Sequence, residues 1–128
     1  MTASITALYA AIFALLVMAL AINVTVHRLK LHISVGDGGN AQMLRMIRLH
    51  GNAVEYVPIT LLLMLTYELN GGSHTILHVA GLAMLTARVV HAWGMSLSDI
   101  PNKARKIGQS LTWLTVIALA VLNLWKVI

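Results

Sequence analysis

Four long stretches in which apolar residues follow one another with few interruptions alternate with short polar connections along the chain. Residues 7–26 are apolar apart from Asn23 and Thr25, and a helix of about 20 such residues crosses about 30 Å of hydrocarbon. A second run covers residues 42–67, its apolar part starting after Glu55 and containing Pro58. A proline there removes one backbone hydrogen bond and can kink the helix, which membrane bundles tolerate. The third run, residues 74–95, includes Arg88 and His91; the fourth, residues 110–127, has Trp113 and Trp125 near its two ends, where interfacial aromatics belong. The pattern predicts a single all-α domain, an integral membrane bundle of four spanning helices. The first run has no basic segment before it and no small-residue cleavage site after it, so a retained span is expected rather than a cleaved signal peptide. Asn23, near its end, suits a hydrogen bond between helices.

The connections are unequal. The first holds Arg28, Lys30 and Arg45 around Val35, Gly36, Asp37, Gly38, Gly39 and Asn40, a glycine cluster that reads as a turn before a helix. It lacks the G-x-x-x-x-G-K-[ST] pattern of a phosphate loop. The second, with Glu68, Asn70, Gly71, Gly72 and Ser73, is a short turn without Lys or Arg. The third, residues 96–109, carries Asp99, Pro101, Lys103, Arg105 and Lys106. Lys and Arg gather on cytoplasmic connections, so the first and third are expected in the cytoplasm and both termini outside it.

Composition supports the membrane assignment: 59% of the 128 residues are hydrophobic and 10% charged, against about a quarter charged in soluble domains, and the mean hydropathy is +0.82. The net charge of +5 follows from the positive-inside bias, so nucleic acid is not expected as a partner. With no cysteine, disulfides, thiolate metal sites and a protein-borne thiol nucleophile are excluded. The histidines lack the clustered spacing of a metal site, and no metal is expected.

Chemistry concentrates where the second run begins. Arg48, Asn52 and Glu55 fall within about 40° and 20° of one line on a helix of 3.6 residues per turn, while His50 points nearly the opposite way. Arg88 and His91, three apart, share a face of the third helix. Adding Arg28 at the end of the first span and Arg105 before the fourth, the cytoplasmic ends of all four spans carry polar groups. An excess of Arg over carboxylate suits a small polyanion, because the guanidinium binds carboxylates through a rigid bidentate fork. The same residues also suit an ion-pair network, Arg48 with Glu55 or Glu55 with Arg88, with Asn52 bridging helices.

The run Arg48, Asn52, Glu55, Tyr56 and Pro58, spaced R-x-x-x-N-x-x-E-Y-x-P, resembles the signature of the MAPEG family, the membrane-associated proteins in eicosanoid and glutathione metabolism. Ala87, Arg88, Val89, Val90 and His91, followed by Gly94, resemble that family's third-span motif, and Val35, Gly36, Asp37, Gly38 and Gly39 its bacterial branch. The resemblance implies a homotrimer in a bacterial inner membrane that binds glutathione as co-substrate in a cleft between subunits near the cytoplasmic helix ends. By matching motif, Arg48, Asn52, Glu55 and Tyr56 would contact glutathione from the second helix, Arg88 and His91 from the third, and Arg28 from the first. Arg105 would stabilise the thiolate, with Lys103 and Lys106 as alternatives. The implied activity is a transferase or peroxidase acting on lipophilic electrophiles that enter from the bilayer, with Tyr56 and Trp93 along the route. The alternative is a non-enzymatic membrane protein holding a lipophilic ligand or partner in the same cleft. Two tyrosines of eicosanoid-forming members are replaced here by Met95 and Gln109.

Overall fold

A computed structural model of the chain describes residues 2–97 and 100–128. Asp99, assigned above to the third connection, lies outside the described residues. Four helices account for nearly all of the rest: α1 (Ser4–Leu31), α2 (Ala41–Leu69), α3 (His74–Leu97) and α4 (Lys103–Val127). Their 24 to 29 residues give lengths of about 36–44 Å at 1.5 Å per residue. Each therefore exceeds the roughly 30 Å hydrocarbon layer. The chain is all-α, as its hydropathy pattern indicates.

Three of the helices, α1, α3 and α4, are long and apolar enough to cross a membrane. The second helix is as long, but Arg45, Arg48, Asn52, Glu55 and Glu68 dilute its apolar character. α2 and α3 each touch the other three helices, whereas α1 and α4 share no contact among the described residues. Of the polar groups of α2, Glu68 is buried against α1, whereas Arg48 and Glu55 are exposed. The helix runs through Pro58 without interruption.

The core lies in the half of the bundle away from the first and third connections. Phe13, Met64, Leu77, Met84 and Leu119 are fully enclosed there, with Tyr9 and Tyr67 beside them. Outward faces carry exposed apolar side chains such as Leu15, Val79, Leu114 and Ile117, as expected where the solvent is lipid. Several polar groups within the helices join one helix to another. Asn23 Nδ2 donates to Met46 Sδ, joining α1 to α2. Asn123 Nδ2 donates to Leu63 O at 2.9 Å, joining α4 to α2. Buried Glu68 accepts from the backbone N–H groups of Ile5 and Thr6 at 2.9 and 2.8 Å, so a carboxylate from α2 caps the N-terminus of α1. A negative charge there also meets the positive end of the helix dipole.

The first connection closes on itself. Asp37 Oδ1 accepts from Gly39 N, and the Asn40 side chain caps α2 by accepting from Met43 N at 2.9 Å. Asn102 does the same for α4, accepting from Arg105 N at 2.9 Å, and its amide also donates to Gly94 O of α3 at 2.6 Å. This one side chain ties the start of α4 to the end of α3. A second tie is glycine. A Cβ on Gly108 would stand 2.6 Å from His91 N and 2.7 Å from Ala87 O, so only glycine lets the backbones of α3 and α4 approach so closely.

Candidate functional site

The beginning of α2, the end of α3 and the beginning of α4 meet at one end of the bundle around a cavity of about 570 Å³. That volume falls within the roughly 300–1,000 Å³ of small-ligand sites. Arg48, Asn52, Glu55 and Tyr56 line it from α2, His91 and Met95 from α3, and Arg105, Lys106, Gln109 and Trp113 from α4. The periodic stripe on α2 thus forms one wall, because residues four and three apart face the same way.

The charge in this space is unbalanced. Arg48, Arg105 and Lys106 face a single carboxylate, Glu55. The first turn of α4 holds no acidic residue, although the positive end of a helix dipole favours anions. Cations gathered beside a helix N-terminus repel one another unless an anion joins them. The cavity therefore has the electrostatics of an anion site with room for one cationic group at Glu55.

Behind the α2 wall, Arg88 is only 3% exposed and does not line the cavity. Its Nη1 donates to Asn52 Oδ1 at 2.5 Å and its Nη2 donates to Thr112 Oγ1. Its guanidinium carbon stands 5.6 Å from the centre of the Tyr56 ring, within reach of a cation–π attraction. Tyr56 OH accepts from Trp113 Nε1 at 3.0 Å, and Tyr56 is the sole phenol of the cavity among the described residues. Met95 and Gln109 both line this space.

Of the residues singled out in the sequence, Arg48, Asn52, Glu55, Tyr56, His91 and Arg105 are brought together. Arg88 lies one layer behind them. Arg28 stands apart at the end of α1, where its Nη1 donates to Gly36 O at 2.9 Å. Of the alternatives to Arg105, Lys106 lines the cavity and Lys103 does not. Trp93 sits on the outer face, 61% exposed, away from the cavity. Sequence reasoning overlooked Thr112, Asn102 and Ser110. An Asn just before a basic helical turn is a capping signal, and Asn102 was legible on that ground. Nothing in the sequence marks Thr112 or Ser110.

These features define an integral membrane protein, a helical bundle with a cation-rich cavity at one end. The chain belongs to the MAPEG family, whose family model matches residues 6–125. It is 37% identical over 121 residues to the inner membrane protein YecN of Escherichia coli K12, an alignment covering 94% of this chain and 91% of that protein. The same protein from E. coli O6:H1 matches to the same extent.

Proposed function

We propose that the chain is a glutathione-dependent transferase or peroxidase of the bacterial inner membrane, acting on small lipophilic electrophiles. The observation that carries this is the cavity itself, lined by Arg48 from α2 and by Arg105 and Lys106 from α4, with Glu55 as the one carboxylate among the described lining residues. Glutathione carries two carboxylates, one ammonium and one thiol, and the donor set fits that pattern. Arg48 and Lys106 suit the carboxylates, Asn52 suits an amide or carboxylate oxygen, and Glu55 suits the ammonium.

Arg105 is assigned to the thiol. A free thiol has a pKa near 8.5, and an adjacent guanidinium lowers it and raises the thiolate fraction at neutral pH. The Asn102 cap supports that role, because it holds the Arg105 backbone at the first turn of α4. Once held as thiolate, the sulfur attacks the electrophilic carbon or peroxide oxygen and the leaving group departs with the bonding pair. Lipophilic substrates would arrive from the bilayer past Trp113, which is half exposed at the cavity rim. The family resemblance supports a homotrimer, and the charge pattern supports termini in the periplasm with the basic connections in the cytoplasm.

A second function, holding a lipophilic ligand or partner without turnover, is favoured by Met95 and Gln109. They leave Tyr56 as the cavity's phenol. One titration separates the two. Detergent-purified protein is mixed with glutathione and its ultraviolet thiolate absorbance followed from about pH 5 to 9, either side of the free thiol's value. A thiolate band well below the free thiol's pKa supports the enzyme. Binding without the band supports the holding function, and absence of binding removes glutathione from both.

A further inference from the structure

Arg88, Asn52 and Thr112 form a chain of hydrogen bonds whose direction is fixed by chemistry rather than by the placement of hydrogens. A guanidinium has donors and no acceptor. The Asn52 atom facing Arg88 Nη1 at 2.5 Å must therefore be the carbonyl oxygen, which settles the amide orientation that heavy-atom positions alone leave ambiguous. Thr112 Oγ1 donates its one proton to Gly108 O at 2.8 Å, so it meets Arg88 Nη2 purely as an acceptor. Asn52 Nδ2 has no partner among the described residues, and it is not among the buried polar atoms that lack one. It is therefore accessible, on a side chain that lines the cavity.

We infer that Thr112, acting through Arg88, locks the Asn52 amide with its N–H bonds toward the cavity, so that the site selects a ligand presenting an acceptor oxygen there, a carboxylate or a peptide carbonyl. The choice of glutathione as that ligand rests on the function proposed above; the lock does not. Without the lock, Asn52 is free to turn over and offer its oxygen, which repels a carboxylate. Arg88 and Thr112 are then positioning residues, acting through Asn52 and not touching the ligand.

The test uses full-length protein in detergent micelles, labelled with ¹⁵N-asparagine, as wild type and as Thr112→Ser, Thr112→Val and Asn52→Asp. The Asn52 side-chain amide signals are identified by their absence in Asn52→Asp. Thr112→Ser keeps the acceptor, so these signals and glutathione affinity should match the wild type. Thr112→Val removes it at nearly equal volume. The Asn52 signals should then move or broaden, and glutathione affinity should fall about tenfold, the worth of one hydrogen bond to a charged or polar partner. In turnover the loss should fall on KM rather than kcat. Asn52→Asp keeps an acceptor for Arg88 but removes the donor, so it should stay folded and lose glutathione. Unmoved Asn52 signals in Thr112→Val would overturn the lock. Full affinity in Asn52→Asp would overturn the selection of an acceptor. If the wild type does not bind glutathione, the proposed function falls, and the amide signals still decide the lock.

Discussion

Replacing Gly108 by alanine should destabilise the protein, whereas the same change at Gly51 should stabilise it. Both glycines lie inside helices, where alanine is intrinsically better by about 0.8–1.0 kcal/mol. Gly51 has nothing within 4 Å of where its Cβ would stand, so Gly51→Ala should keep most of that gain. At Gly108 the new methyl would lie 2.6 Å from His91 N, while ordinary contact begins near 3.4 Å. The helices must therefore part by about 0.8 Å, and the atoms in the way are backbone rather than a yielding side-chain tip. Overpacking of this kind costs about 1–3 kcal/mol, and a rigid obstacle places it toward the upper end. Offset by the propensity gain, the net loss should be about 1–2 kcal/mol.

Thermal unfolding of the two variants and the wild type in one detergent is the assay. Gly51→Ala should melt above the wild type and Gly108→Ala a few degrees below it. Because Thr112 donates to Gly108 O, the displaced helix also carries the acceptor of Arg88 away. Gly108→Ala should then bind glutathione more weakly, and Gly51→Ala should not. Gly108→Ala melting as high as Gly51→Ala would refute the close approach of α3 and α4.

Three further outcomes are expected. Glu68→Gln retains one acceptor for the first turn of α1 but loses the charge, and should lower stability by about 1.5–3 kcal/mol, read as a drop in melting temperature. Arg48→Ala should weaken glutathione binding by roughly 1.5–3 kcal/mol, measured by calorimetry; unchanged affinity would take Arg48 out of the site. Arg105→Ala should leave binding nearly intact and abolish the thiolate absorbance near neutral pH, and a surviving band would move the activating role to Lys106, the other basic residue of that wall.

The helices were legible because a bilayer accepts only long apolar runs whose backbone bonds are satisfied internally. Their ends were not. Hydropathy falls off after residue 26, yet α1 continues to Leu31 through His27, Arg28 and Lys30, because a helix does not stop where the membrane does. Its actual end is local, at His32 in the left-handed conformation. One wall of the site was legible for a related reason. Arg48, Asn52 and Glu55 share a helix, and 3.6 residues per turn fixes their common face. On α4, which forms the opposite wall, Arg105 was singled out but Thr112 and Ser110 were not, because the rotation of α4 is set by where Gly94 and Gly108 let α3 approach, which spacing along α4 does not reveal.

Arg88 shows what such concealment costs a motif-based assignment. Membership in the polar constellation suggested direct contact with a ligand or an ion pair with Glu55. Among the described residues its partners are instead neutral: an amide oxygen, a hydroxyl and an aromatic face. A buried cation matched by neutral acceptors keeps its positive field, whereas one paired with a carboxylate would largely cancel it. That uncancelled charge lies directly behind a cavity already lined by Arg48, Arg105 and Lys106. An ion-pair network built to join helices would spend its carboxylates on its arginines. Here the one cavity carboxylate, Glu55, is exposed, and the one buried carboxylate of α2, Glu68, sits at the far end capping α1. The net positive field is thus concentrated where three helices leave room for a small molecule, an arrangement that favours an anionic ligand over a purely structural role for the stripe.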